Sequence, residues 1–103
     1  MPSKIQTLHP DPSKQGVNID LTKYTQIKET IQSILLDRGD EQFKELSPAV
    51  EEVLGQGFEG SIPWYVTTVK LDLEARGFIE RIPNARPQRL RVMNPSRISQ
   101  GLM

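Results

Sequence analysis

Six arginines crowd residues 76–103: Arg76, Arg81, Arg86, Arg89, Arg91 and Arg97, against a single acid, Glu80. Residues 1–75 carry the opposite balance, seven Lys/Arg against twelve Asp/Glu, so that the 103-residue chain has a net charge of zero. The guanidinium fork suits phosphates and carboxylates, so this asymmetry is the strongest pointer to chemistry in the chain. Its bland counterpart is local pairing, in which the acids of the first helices absorb the arginines as surface ion pairs.

Catalytic signals are thin. His9 is the only histidine and stands in a proline-rich stretch, which reads as a surface position rather than an acid/base. Glu51 and Glu52 are adjacent and point apart on a helix. Gly55, Gly57 and Gly60 follow a helix with no lysine behind them, so they do not form a phosphate-cradling loop. There is no cysteine, no metal-ligand spacing and no apolar run of membrane-spanning length. These features point to a non-enzymatic cytoplasmic protein without cofactor or metal.

The elements that must position these residues are legible in punctuation and period. Residues 1–19, with Pro2, Pro10, Pro12 and Gly16 among singly spaced Ile5, Leu8, Val17 and Ile19, read as an extended arm that could lie along the domain. Asp20 opens a helix whose face is Tyr24, Ile27, Ile31, Ile34 and Leu35, and Gly39 closes it. Phe43 reads as a short extended anchor. Leu46, Val50, Val53 and Leu54 fall at the spacing of a second helix, in which Pro48 either sits in the first turn or delays the start until Ser47. Ser61 caps a third helix with Pro63 in its first turn, a core stripe of Ile62, Val66, Val69 and Leu73, and Gly77 at its end. Segments 78–82 and 89–93 alternate as strands around the "PNARPQ" loop.

The order helix, short strand, helix, turn, helix, hairpin, with "LEARGFIERI" at the exit of the third helix, resembles the winged helix-turn-helix domains common in bacterial transcription regulators. Leu73, Gly77, Phe78 and Ile79 carry the likeness. "WYVTTVKLDLEARG" also looks like a small group of uncharacterised bacterial proteins. The resemblance implies an α+β fold of three helices and a small antiparallel sheet with a hairpin wing. It divides the chain into an arm over 1–19, a winged helix domain over 20–93 and a tail over 94–103.

It also implies a DNA-binding transcription-regulator module acting on double-stranded DNA, with a recognition helix at 61–76 and a wing at 78–93. Pro63, Trp64, Thr67, Thr68 and Lys70 would then lie nearest the bases, and Arg81, Arg86, Arg89 and Arg91 on the wing. Against this stands the neutrality of the helix, where Lys70 and Arg76 balance Asp72 and Glu74, although duplex binders draw affinity from neutralised phosphates. Trp64, Thr68, Leu71 and Ala75 form a second stripe roughly opposite the core stripe. Two apolar stripes call for cover on both sides: by the arm, by a second subunit or by a partner protein. The alternative reading is therefore a protein-interaction winged helix, a homodimer or partner-binding module using Trp64 and Leu71.

Overall fold

Gly39 and Gly77, at φ 85° and 81°, turn the chain out of its first and third helices in the left-handed region that a side chain disfavours. Around these stops a computed structural model, which describes residues 3–93, shows an α+β arrangement of three helices and two small antiparallel sheets. The elements in chain order are β1 (Lys4–Gln6), β2 (Asn18–Asp20), α1 (Leu21–Arg38), β3 (Glu41–Gln42), α2 (Phe43–Leu54), α3 (Ile62–Arg76), β4 (Ile79–Arg81) and β5 (Arg89–Val92). The expected tail over 94–103 lies outside the described residues.

Local signals place the helices. The Asp20 carboxylate accepts the Lys23 N–H at 2.9 Å, and Ser61 Oγ accepts that of Trp64 at 3.3 Å. From α1, Tyr24, Ile27, Ile31 and Leu35 enter the core, while Ile34 is half-buried at its margin. All four residues of the α3 core stripe are buried.

α2 departs from the sequence expectation. It begins at Phe43, without an extended anchor, and runs through Pro48. The proline removes the one hydrogen bond its N–H would have made to the Lys44 carbonyl, and burial of Leu46, Ala49 and Val50 offsets that loss. Val53, expected on the apolar face, is largely exposed. The short strand lies just upstream, at Glu41–Gln42. It pairs with β5 (Glu41↔Leu90, Gln42↔Arg89), and the Phe43 N–H donates to the Gln88 carbonyl at 2.8 Å.

The three-stranded sheet runs β3-β5-β4, with Ile79↔Val92, Glu80↔Arg91 and Arg81↔Leu90 in register across the hairpin. Ile79, Leu90 and Val92 face the helices, giving the inward/outward alternation of a half-buried sheet.

The arm is a built element. β1 and β2 pair antiparallel (Lys4↔Asp20, Ile5↔Ile19, Gln6↔Asn18), and Ile19 enters the core. This ribbon feeds α1 directly, and the Leu21 N–H donates to the Ser3 carbonyl at 2.9 Å.

Candidate functional site

Between the strands of the ribbon, residues 8–16 make a loop whose two ends nearly touch. At its neck the Thr7 N–H donates to the Val17 carbonyl at 2.8 Å, and Thr7 Oγ1 accepts the Val17 N–H at 2.8 Å. Gly16 is pressed so close to Thr7 that a Cβ would come within 2.1 Å of the Thr7 carbonyl oxygen. Inside the loop the Asp11 carboxylate accepts the Ser13 N–H and hydroxyl, which lowers its pKa, and His9 Nδ1 accepts the Asp11 N–H at 3.0 Å. With Pro10 and Pro12 limiting its freedom, the loop has the closed neck of an Ω-loop.

This loop lies along the outer face of α3. Leu8, His9, Gln15, Gly16 and Val17 on one side, and Trp64, Thr68 and Leu71 on the other, enclose a groove of about 150 Å³. None of these eight residues carries a fixed charge. A wider hollow lined by the loop reaches Ala75, so each residue of the second stripe of α3 borders a space that the arm also lines. The cover is partial. Trp64 remains 47% exposed, and Leu8 and Val17 are also exposed, bringing three large apolar side chains to the rim of one groove.

Trp64 is fixed from behind. Its ring meets Tyr65 edge-on at 4.9 Å, and Tyr65 meets Phe58 in the same way at 5.1 Å. Lys23 Nζ stands 5.7 Å from the Tyr65 ring centre.

Leu8 is held by a buried carboxylate. Asp72 is fully buried, and its Oδ1 accepts the Leu8 N–H at 2.8 Å. Its other oxygen accepts the Tyr24 hydroxyl, and Arg76 Nε donates to both at 2.8–2.9 Å. Arg76 Nη2 also donates to the Gln6 carbonyl at 3.4 Å. Burial, together with the hydrogen bond and charge of Asp72, pushes the Tyr24 hydroxyl far above its usual pKa.

The residues expected at a DNA interface scatter. Thr67 is exposed and Thr68 is half-buried in the groove. Lys70, expected near the bases, is 2% exposed; it pairs with Glu74 Oε2 at 3.1 Å and stands 4.6 Å from the Phe43 ring centre. Desolvation lowers its pKa, against the pull of Glu74. The reason for this displacement is helical: Lys70 follows Val66 by four and precedes Leu73 by three, which puts it beside the core stripe.

Three of the four hairpin arginines are paired. Arg81 Nε donates to Glu74 at 2.8 Å, Arg89 Nε to Asp40 at 2.6 Å and Arg91 Nη2 to Glu80 at 3.2 Å. Arg86 is exposed and, among the described residues, has no acidic partner.

Asp72, Tyr24 and the Thr7–Gly16 neck did not stand out in the sequence. The one available signal was an acid four residues before Arg76, ordinarily an exposed helix pair. Among the described residues no cluster of His, Asp or Glu is arranged to hold a metal ion, and no helix is long and apolar enough to cross a membrane.

A model described as a family of unknown function (DUF6958) matches residues 4–90, and the chain belongs to that family. The match starts on the first residue of β1, so the arm is part of the unit the family shares. No curated protein and no solved structure matches the chain.

Proposed function

We propose that this family member is a protein-interaction domain of winged helix-turn-helix type, without catalytic activity, which docks a second copy or a partner protein in the groove between its arm and α3. The order α1, β3, α2, α3, β4, β5, with the strand before α2 pairing to the second hairpin strand, supports the winged helix assignment. One observation carries the function: the outward face of α3 is the floor of a groove without fixed charge, with Trp64, Leu8 and Val17 exposed around it. An apolar rim with a rigid aromatic anchor suits a protein surface. A polyanion gains little there, because its affinity comes from cations it can neutralise.

A photo-reactive amino acid placed at position 64 tests this reading in cells. It is expected to cross-link a defined protein, or a second copy, whereas the same group at exposed Lys44 does not. Equal cross-linking from both positions would overturn the proposal.

The second reading, a DNA-binding transcription regulator, keeps the support of exposed Thr67 and of exposed Arg86, which has no acidic partner among the described residues. A gel shift with random duplex at low salt checks it, and absence of a shift at micromolar protein retires it.

A further inference from the structure

A fully buried carboxylate on a helix is a costly arrangement, because a charge removed from water must be completely partnered. Asp72 is so placed, and its donors come from three separate parts of the chain: Leu8 in the loop, Tyr24 in α1 and Arg76 in its own helix. The Leu8 N–H is 64 residues away in sequence, and it is the point where the loop leaves the buried Thr7 neck. Beyond that neck no residue from 8 to 17 is buried. The loop thus gains little from apolar burial, the condition under which a segment opens locally below the global unfolding free energy. Among the described residues its hydrogen bonds to α3 are the Leu8–Asp72 bond and, at its base, the contact of Arg76 with Gln6. Both run through the Asp72–Arg76 pair.

We infer that Asp72 is a positioning residue whose buried carboxylate seats the 8–16 loop on α3, so that the groove forms and dissolves as one local unit while the helical core stays folded. The side chain does not line the groove. It acts by holding Leu8 at the rim, opposite Trp64, Thr68 and Leu71. The importance of the groove for docking rests on the reading proposed above; the seating of the loop does not.

Two reporters read the seating directly. Trp64 is the only tryptophan and lines the groove, and the Lys14–Gln15 bond lies in the exposed part of the loop. Asp72→Asn removes the charge while keeping the shape, and Leu8→Pro removes the loop's donor, restricting Thr7 at the neck but leaving the side chains of the helical core unchanged. Both are expected to increase acrylamide quenching of Trp64 and to speed tryptic cleavage after Lys14. The increase in cleavage should be about tenfold or more, the loss expected when a charge-assisted hydrogen bond is broken. Far-UV circular dichroism should still show folded helices at 25 °C.

Tyr24→Phe, which leaves the Leu8 bond in place, is expected to lower thermal stability with a smaller effect on cleavage. Wild-type quenching and cleavage in Leu8→Pro would overturn the inference. So would loss of the loop only together with the helices in both Asp72→Asn and Leu8→Pro. Normal seating effects with no cross-linked partner would sink the docking function and leave this inference standing.

Discussion

Leu8 and Asp72 are joined by a 2.8 Å hydrogen bond from a backbone N–H to a fully buried carboxylate, across 64 positions of sequence. The bond ties the arm to the outer side of α3 and makes the two one surface. Much of the behaviour expected of this protein follows from that joint.

Trp64 should report a half-open groove. With 47% of its surface exposed, its emission is expected to be intermediate in wavelength and quenchable by acrylamide in dilute protein. Occupation of the groove should shift emission to the blue and reduce quenching. Trp64→Ala should cost about 1 kcal/mol or less, well short of the 3–5 kcal/mol typical of a fully buried large aromatic, and denaturant unfolding would measure it.

Arg86 and Arg89 should separate. If duplex is bound, Arg86→Ala is expected to weaken binding to every sequence and to reduce the slope of log affinity against log salt by about one, as for one phosphate contact. Arg89→Ala instead breaks the pair with Asp40, and its stability cost should stay within about 1 kcal/mol, as for partly exposed ion pairs. Equal effects of the two variants on the slope would show that Arg89 leaves Asp40 to meet phosphate.

Tyr24 makes stability pH-dependent on the alkaline side. Its hydroxyl titrates well above the ordinary value of 10 because it is buried and because it donates to Asp72. A raised folded-state pKa means that the folded chain keeps a proton the unfolded chain releases. The stabilisation is therefore whole below pH 10 and falls as pH rises beyond it. Urea melts at pH 9 and pH 11 should show a larger fall for wild type than for Tyr24→Phe. An identical fall would remove Tyr24 from the account.

Gly16→Ala tests the neck of the loop. The new Cβ would meet the Thr7 carbonyl oxygen at 2.1 Å, and backbone cannot yield as a flexible side chain can. A cost of about 1–3 kcal/mol is expected, in the range of overpacked sites. Faster tryptic cleavage after Lys14 should accompany it. Gly57→Ala, where a Cβ meets nothing within 4 Å, serves as the control.

The amino-acid sequence by itself determined the first and third helices and their stops. Asp20, Gly39, Ser61 and Gly77 act on the backbone within a few residues of themselves, and Ile62, Val66, Val69 and Leu73 reveal a face through spacing alone. Local rules failed at α2, where burial of Leu46 and Val50 carried the helix through Pro48. They could show that the second stripe of α3 needed cover, and they admitted the arm as one of three covers. That the arm supplies part of this cover was decided by the tertiary structure, because the bonds that seat it on α3 join residues 64 and 70 positions apart. Distance in sequence likewise hid the pairing of Arg89 with Asp40, 49 positions away. Charge and periodicity are written locally, but which charge meets which, and what lies over an exposed stripe, is settled only when distant segments pack.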